Sequence, residues 1–239
     1  MKYLDRTFGT AQENLACDEA LLDQCEEGYP DEILRFWEPR QHFVVLGYSN
    51  KVRAEVNLDS CGALGLPVLR RCSGGGTVLQ GPGCLNYALI LRIREGSATE
   101  SVTEANAFIM NRNRDALNSL LGGRVLIQGH TDLTLQGLKF SGNSQRRRRR
   151  FLLFHGSFLL RLDLALVEQT LRQPAKQPSY RRNRAHKDFL TNLSLQVDAV
   201  KEAMKDVWGA SDALEETPGE RIERLVREKY STDDWNLKL

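Results

Sequence analysis

Several features that would assign this chain of 239 residues to a specialised class are missing. No apolar run approaches the roughly 20 residues that a membrane-spanning helix needs. The opening residues, MKYLDRTFGT, contain no apolar segment of the kind found in signal peptides, so we expect a cytoplasmic protein. Internal repeats are also absent. Composition and pattern together exclude collagen-like, coiled-coil, membrane-spanning and largely disordered proteins.

The sequence also lacks a large excess of charge of one sign and a cysteine spacing that indicates pairing. Lys and Arg number 33 against 31 for Asp and Glu, giving a net charge of +2, which argues against a protein that binds nucleic acid through bulk charge. The cysteine count is five, an odd number, and no two cysteines have C-x-x-C spacing. Neither a disulfide framework nor a structural zinc site is therefore expected.

The remaining composition, 41% hydrophobic and 27% charged, is ordinary for a soluble globular protein. Periodicity predicts helices over residues 11–27, 57–65, 103–121 (capped by Thr103), 163–171, 195–208 and 218–229. It predicts strands over 33–39, 42–48, 67–71, 85–93, 124–128, 132–135, 138–142 and 151–162. Short gaps between strands favour a mixed, largely antiparallel sheet flanked by helices, in one domain spanning 1–239. The polar stretch Pro174–Lys187 is predicted to be a surface loop and is the best candidate for a linker.

The most informative segment is the glycine loop, Arg70–Val78, with the sequence RRCSGGGTV. Three consecutive glycines remove every Cβ, so a ligand can approach the backbone closely, and successive amides can form an anion-binding nest. Ser73 and Thr77 add hydroxyl groups, and the two arginines suit phosphate or carboxylate oxygens. These parts fit a nucleotide phosphate or an acyl phosphate. The alternative is a tightly turned hairpin loop without a ligand.

A second candidate element is the lysine strand, in which Lys139 lies between Gly137 and Gly142. An ammonium group held on a rigid strand is a fixed point charge, worth roughly 4 kcal/mol to an opposite charge about 4 Å away at an effective dielectric near 20. The commoner case is an exposed strand lysine. A third element, His155-Gly156, could orient a substrate, although a lone histidine in an apolar strand more often belongs to the core.

In this order, the three elements resemble the lipoate–protein ligase and octanoyltransferase family, whose catalytic fold is shared with biotin–protein ligases. The resemblance covers nearly the whole chain, and the combination of glycine loop and lysine strand is its most specific part. The matching segments are Asn14–Leu22, Val44–Ser49, Arg70–Val78, Gly83–Leu89, Gly137–Gln145, His155–Ser157, Thr191–Leu193 and Tyr230–Asn236.

This resemblance implies a biotin ligase-like (class II synthetase-like) α/β fold and an acyltransferase. In such ligases, ATP and lipoate (or octanoate) form an acyl-adenylate, and the acyl group moves to a lysine of a lipoyl-domain or glycine-cleavage-H-like carrier. Lys139 would contact the phosphate and the carbonyl, and Gly47 and Tyr48 would help line the acyl pocket. The remaining implied binding residues are Arg70, Ser73, Gly74, Gly75, Gly76, Thr77, Val78, Gly137, Ser141, Gly142, Asn143, His155 and Gly156. Mg²⁺ should accompany ATP, and no residue is assigned as its ligand.

The sequence departs from the ligase pattern in places. Gln80-Gly81-Pro82-Gly83 stands where ligases have His-Asp and looks like the His-Gly-Pro-Gly of octanoyltransferases, with Gln80 replacing the histidine. Thr131-Asp132 replaces the Asn-Asp that precedes the lysine strand in ligases. The sequence ends just after Trp235-Asn236, so we expect no C-terminal accessory domain; the resemblance implies that a ligase this short can need a separate small accessory protein to form the adenylate.

Two other functions stay open at this stage. Octanoyl transfer from acyl carrier protein would proceed through a cysteine thioester. One octanoyltransferase type has this cysteine three residues before His-Gly, where Leu152 stands here; Cys72 and Cys84 remain candidates, although small buried cysteines are the favoured interpretation. RNA binding through the basic tracts at 146–150 and 181–187 is the other alternative, and solvated loops are the favoured interpretation of both tracts.

Overall fold

The computed structural model describes all residues from 1 to 239. Its strands are β1 (Lys2–Asp5), β2 (Ile33–Trp37), β3 (Phe43–Leu46), β4 (Val68–Arg70), β5 (Val78–Gln80), β6 (Cys84–Arg92), β7 (Val125–Gln128), β8 (Asp132–Leu135), β9 (Leu138–Arg147), β10 (Phe151–Leu159) and β11 (Asp212–Ala213). Its α-helices are α1 (Ala11–Glu27), α2 (Val52–Glu55), α3 (Leu58–Ala63), α4 (Val102–Leu121), α5 (Leu164–Thr170), α6 (His186–Phe189), α7 (Val197–Trp208), α8 (Gly219–Leu225) and α9 (Asp233–Asn236).

Eight strands form one sheet in the order β11-β1-β2-β6-β10-β9-β8-β7. Strand β1 runs parallel to both of its neighbours, and every other pair in this sheet is antiparallel. Three strands form a second, small sheet in the order β4-β3-β5. The predicted mixed, largely antiparallel sheet flanked by helices is thereby confirmed.

Both faces of the large sheet are covered, which explains why its central strands are apolar throughout. On one face, Ile109 and Met110 of α4 and Met204 of α7 pack with Phe154 of β10. On the other face, residues of α1 such as Leu21 pack with the neighbouring residue of β10, Leu153, and with β2 and β6. Because successive side chains of a strand point to opposite faces, a strand buried on both faces has an uninterrupted apolar sequence.

Several local predictions are corrected by the structure. Helix α4 begins after Ser101, whose Oγ accepts from the backbone N–H of Glu104 at 3.1 Å, so the predicted cap at Thr103 is wrong. Strands β1 and β11 and helices α2, α6 and α9 were not predicted. The stretch Pro174–Lys187 contains a short 3₁₀ helix, Ser179–Arg181, and packs as a wall of the main cavity. The helices lack a segment both long and apolar enough to cross a bilayer.

Candidate active site

A cavity of about 600 Å³ lies between the large sheet, the glycine loop and the wall formed by residues 172–190. Both elements singled out in the sequence reach it, since Gly75 and Lys139 line the same space. The other predicted residues along it are Gly76, Thr77, Val78, Ser141, Gly142, Asn143, His155 and Gly156. The volume falls in the range of pockets that hold small organic ligands.

The two arginines that enter the glycine loop have different positions. Arg71 is buried in the cavity wall and donates from Nη2 to the carbonyl oxygens of Gly74 (2.5 Å) and Gly76 (2.8 Å). It forms no ion pair, and burial lowers its pKa to about 10, so it carries an uncompensated positive charge at neutral pH. Arg70 points elsewhere: its Nη1 donates to the backbone oxygens of Gly47, Tyr48 and Asn50. Its predicted contact with substrate is therefore replaced by a structural role beneath the loop.

The turn of the glycine loop rests directly on Gly47. A Cβ at Gly47 would lie 2.1 Å from the carbonyl oxygen of Gly75, and Gly75 itself has a left-handed φ of +84°. Gly47 does not line the main cavity, in contrast to the prediction, but only a residue without a side chain permits this contact. The shape of the loop thus depends on two glycines that are distant in sequence.

We expect Gly47→Ala to displace the loop and to reduce the rate of the reaction at this cavity by about 10-fold or more, because a misplacement of about 1 Å can cost 10²-fold in rate. The measurement is kcat/KM, with circular dichroism to confirm folding. Gly62→Ala is the matched control, since a Cβ at Gly62 meets nothing within 4 Å. Equal activity of the two variants would contradict the importance of this contact.

Lys139 reaches the cavity because of an irregularity in its strand. The pairing of β8 with β9 shifts register between Leu133 and Thr134: Thr134 pairs with Lys139 and Leu133 with Ser141, so Phe140 is the extra residue and packs into the core. In a regular strand, residues three apart point to opposite faces, and such a bulge puts Lys139 and Gly142 on the same face. A Cβ at Gly142 would lie 2.8 Å from the Lys139 Nζ, so the glycine leaves room for the ammonium group.

Asp132 holds the ammonium group in place. Its Oδ1 is 2.7 Å from the Lys139 Nζ, and its Oδ2 accepts from the hydroxyl of Tyr180 at 2.7 Å. Burial, followed by the nearby charge of Asp132, raises the pKa of Tyr180. Tyr180 therefore stays a neutral donor and connects the wall of residues 172–190 to the lysine strand.

A chain of buried hydrogen bonds fixes the base of the loop on the sheet. The Nε2 of His155 is 2.5 Å from the Ser73 Oγ, and its Nδ1 is 3.0 Å from the Asp18 Oδ2. Asp18 also forms a buried ion pair with Arg35. Burial alone would raise the pKa of Asp18, but the Arg35 charge and the His155 hydrogen bond outweigh it and hold that pKa below its ordinary value. Because Ser73 is itself buried, these hydrogen bonds position the loop.

Positive charge predominates along the cavity. Asp18 and Asp132 are paired within the protein, with Arg35 and Lys139 respectively, and Glu55 is the third carboxylate. The lining cations are Arg71, Lys139, Arg172, Lys176 and Arg181. Such a site favours an anionic ligand.

The cysteines lie off the main cavity, and Cys72, which belongs to the glycine loop, borders a smaller depression beside it. All five are buried and free, and none lines the main cavity. Burial raises the pKa of both Cys72 and Cys84 to about 12, so neither forms an appreciable amount of thiolate at neutral pH.

Four predicted residues besides Arg70 and Gly47 also lie off the main cavity. Tyr48, Ser73 and Gly74 border a separate, smaller depression on the other side of the loop. Gly137 forms the turn between β8 and β9, with a φ of +78°. This left-handed conformation is by itself a sufficient reason for a glycine at position 137, so no ligand contact is needed to explain it.

Sequence reasoning missed the roles of several buried polar residues. Asp18 of α1 had no role assigned from the sequence, yet it is buried, as is Glu19. A usable signal was its position among the small apolar residues Ala16, Cys17 and Ala20. The basic run 146–150 is partly used internally, since Arg146 donates to the Cys72 oxygen and Arg148 pairs with Asp23.

Known proteins resemble this chain over nearly its full length. Octanoyltransferase LipM of Geobacillus kaustophilus is 28% identical, with 99% of this chain and 98% of that protein covered. Lipoate-protein ligase A subunit 1 of Thermoplasma acidophilum is also 28% identical, with 98% and 94% covered.

Solved structures share the fold. A bipartite lipoate protein ligase from T. acidophilum, studied with its E2 lipoyl domain, superposes with a TM-score of 0.83 at 24% identity, covering 99% of this chain and 95% of that one. Lipoate-protein ligase A bound with ATP gives a TM-score of 0.77 at 25% identity, covering 99% of each chain. The family model for the lipoyl protein ligase A/B catalytic domain matches residues 10–209, and the chain therefore belongs to that family.

Proposed function

We propose that this protein is an ATP-dependent lipoate–protein ligase that forms an acyl-adenylate and transfers the acyl group to a lysine of a lipoyl carrier domain. The observation that carries this proposal is the lining of the cavity. The unpaired cation Arg71 and the strand-held Lys139 face it together, whereas no cysteine does. A cationic cavity without a thiol suits a phosphate anhydride better than a thioester intermediate.

The proposed reaction has two steps, and residues of this site would assist both. A carboxylate oxygen attacks the α-phosphorus of ATP, and pyrophosphate leaves. The neutral amine of the carrier lysine then attacks the acyl carbonyl, AMP leaves, and the amine loses its proton. Lys139 would stabilise charge on the phosphate and on the carbonyl oxygen, and the amides of Gly75 and Gly76 would bind phosphate oxygens.

The structure offers no preformed metal cage for the Mg²⁺ expected with ATP. No cluster of three or more potential metal ligands is present, and both oxygens of Asp132 are already engaged. Mg²⁺ commonly binds through substrate phosphates and water, with one or two carboxylates. No step of the proposed reaction is assigned to it.

The expected partner is an acyl-accepting carrier such as a lipoyl domain or a glycine-cleavage-H-like protein. Exposed Arg172 and Lys176 at the cavity rim suit an acidic carrier surface and would favour electrostatic attraction that weakens with salt. The bipartite organisation of the Thermoplasma relative supports a separate accessory protein here as well.

The function is tested by two parallel assays with one lipoyl-domain acceptor. The first contains ATP and lipoate, and the second contains octanoyl-acyl carrier protein without ATP. We expect transfer in the first, with release of pyrophosphate, and each assay is repeated with a candidate accessory protein. Transfer in the second assay alone would exclude the ligase mechanism in favour of the octanoyltransferase.

The cysteine mechanism can be tested directly by Cys72→Ala and Cys84→Ala. Because neither thiol lies on the main cavity and burial keeps both protonated, we expect each variant to retain transfer within about 3-fold of the parent. The measurement is acyl transfer together with mass spectrometry for an acyl-cysteine adduct. A loss of about 10³-fold in either variant, with an intact fold, would identify a covalent nucleophile.

A further inference from the structure

A series of hydrogen bonds runs through the core from helix α7 to the strands that carry the site. The Trp208 Nε1 donates to the Asn113 Oδ1 at 2.9 Å, and the Asn113 Nδ2 donates to the Tyr87 hydroxyl at 2.7 Å. That hydroxyl donates to the Asn143 Oδ1 at 2.6 Å, and the Asn143 Nδ2 donates to the backbone oxygen of Thr131 at 2.7 Å. We call these five residues the Tyr87 network.

The direction of every donation in the Tyr87 network is fixed by its two ends. The indole N–H of Trp208 can only donate, and the backbone oxygen of Thr131 can only accept. Each amide between them therefore has one possible orientation, and the Tyr87 hydroxyl accepts one hydrogen bond and donates one. Burial raises the pKa of Tyr87 well above its ordinary value, so the hydroxyl keeps the proton that it donates.

Gly156 makes the central hydrogen bond of this network possible. Tyr87, Gly156 and Asn143 lie opposite one another on the adjacent strands β6, β10 and β9. With neighbouring strands about 4.8 Å apart, the backbones of Tyr87 and Asn143 are roughly 10 Å apart, and their side chains meet beside Gly156. A Cβ at Gly156 would lie 1.7 Å from the Asn143 Oδ1. Any larger residue at position 156 would therefore displace the Asn143 amide.

The far end of the network lies next to the carboxylate that holds Lys139. Besides accepting from the Asn143 amide, Thr131 donates from its Oγ1 to the Asn143 backbone oxygen at 2.8 Å, so two hydrogen bonds join these residues. Asp132 follows Thr131 directly, and its Oδ1 is 2.7 Å from the Lys139 Nζ. A shift of the Asn143 side chain would therefore move Thr131, Asp132 and the ammonium group together.

We propose that Tyr87 is a positioning residue for acyl transfer, whose hydroxyl acts through Asn143 to set the position of Lys139. The Tyr87 side chain is wholly buried, so it is assigned no contact with substrate. Without the hydroxyl, the Asn143 amide loses the donor that orients it, and the buried Asn113 amide is left without its acceptor. This inference rests on the proposed function only for the role of Lys139 in the transfer, and not for the use of ATP.

The test compares Tyr87→Phe with a matched control, Thr99→Val, on the full chain. Each substitution removes one hydroxyl from a buried residue and preserves the shape of the side chain. The Thr99 hydroxyl donates to a backbone oxygen at 2.8 Å, and Thr99 does not line the cavity. A role of Tyr87 in stability alone would give the two variants the same behaviour at Lys139.

The position of Lys139 is measured without any activity assay, by labelling with acetic anhydride and mass spectrometry. The exposed Lys187 of the same protein is the internal reference. The Lys139 amine reacts only after it leaves Asp132 and loses its proton, so a displaced carboxylate exposes it to the reagent. We expect Lys139 labelling to rise by about 3-fold or more in Tyr87→Phe, the factor that corresponds to the loss of about one net hydrogen bond. Thr99→Val should leave it unchanged.

Kinetics then show whether the position of Lys139 matters for the reaction. The values of kcat and KM are measured in whichever of the two transfer assays the parent protein performs. We expect Tyr87→Phe to lower kcat by about 10-fold or more and to keep KM within about 3-fold, because a displaced group slows the chemistry without removing a substrate contact. Thr99→Val should leave both values unchanged.

A double variant shows whether the hydroxyl acts through Asn143. Once Asn143→Ala has removed the amide, adding Tyr87→Phe should change Lys139 labelling by less than about 2-fold, since the two residues belong to one network. If Tyr87→Phe fails to fold, Trp208→Phe replaces it. That variant removes the donor at the other end of the network and is expected to raise Lys139 labelling by about 2-fold or more.

The outcomes separate this inference from the proposed function. Unchanged Lys139 labelling in folded Tyr87→Phe, or an equal rise in Thr99→Val, would overturn the inference, as would raised labelling without a loss of kcat. Raised labelling together with reduced kcat, in a protein that transfers only from octanoyl-acyl carrier protein, would support the inference while rejecting the ligase function.

Discussion

Lys139→Ala is expected to reduce acyl transfer by about 10²- to 10³-fold or more, because preorganised groups aimed at developing charge contribute this much in comparable sites. The Lys139 Nζ is held at 2.7 Å from the Asp132 Oδ1 and is only partly exposed, so its orientation is set before the substrate arrives. Such preorganisation is the reason for a large effect from one side chain. Pyrophosphate release and transfer should be measured separately, since we expect both steps to fall.

Lys187→Ala is the control for this variant. Lys187 is an exposed lysine of α6, part of the cavity wall segment, yet it does not line the cavity. Its removal should leave kcat/KM unchanged within about 2-fold, as is usual for surface positions. Full activity of Lys139→Ala, with circular dichroism like that of the parent, would refute the role assigned to this residue.

The second large effect is expected for Asp18→Asn, which preserves shape and removes the charge. Arg35 is wholly buried and would lose its carboxylate partner, a change that typically costs 3–5 kcal/mol in the free energy of unfolding. Urea denaturation measures this loss. Asp206→Asn, at an exposed position, is the matched control and should shift stability by less than about 0.5 kcal/mol.

A double variant tests whether the loss arises from the pair. Replacing Arg35 by Met together with Asp18→Asn removes both charges, and we expect the double variant to be less destabilised than the sum of the single variants. Additive losses would contradict the coupling of Asp18 with Arg35.

Asp18 also makes the stability of the protein depend on pH, and the sign of this dependence follows from its lowered pKa. Because the pKa of Asp18 is lower in the folded protein than in the unfolded chain, its contribution to stability is complete above the unfolded value of about 3.9. As the pH falls below that value, the unfolded chain takes up a proton first, and stability is lost down to the folded pKa. The parent should therefore lose more stability than Asp18→Asn between about pH 4 and pH 2.

The positions of most helices and strands could be predicted from the sequence. The strands β6 and β10 are long apolar runs, and the capped helices α1 and α4 appear at nearly the predicted bounds. Short elements such as β1 and β11 were missed because a two- to four-residue strand has too few residues for a periodic signal. Their stability comes from pairing with strands that are distant in the chain.

Only part of the candidate site could be predicted from the sequence. Three consecutive glycines flanked by arginines and a serine identified the glycine loop, whereas Lys139 gained its role from the family resemblance, because a lone strand lysine is most often exposed. The sequence could not distinguish Arg70 from Arg71, since adjacent strand residues differ only in the face to which they point.

The sequence by itself determined the kind of sheet, the membership of the glycine loop and the lysine strand in one family pattern, and the absence of a cysteine before His155. Only the tertiary structure decided that a β-bulge turns Lys139 toward the same cavity as Gly75, that Arg70 braces the loop while Arg71 faces the cavity, and that Asp18 is buried. The physical reason is that local pattern specifies strands and turns, whereas register and burial depend on contacts between residues far apart in the chain.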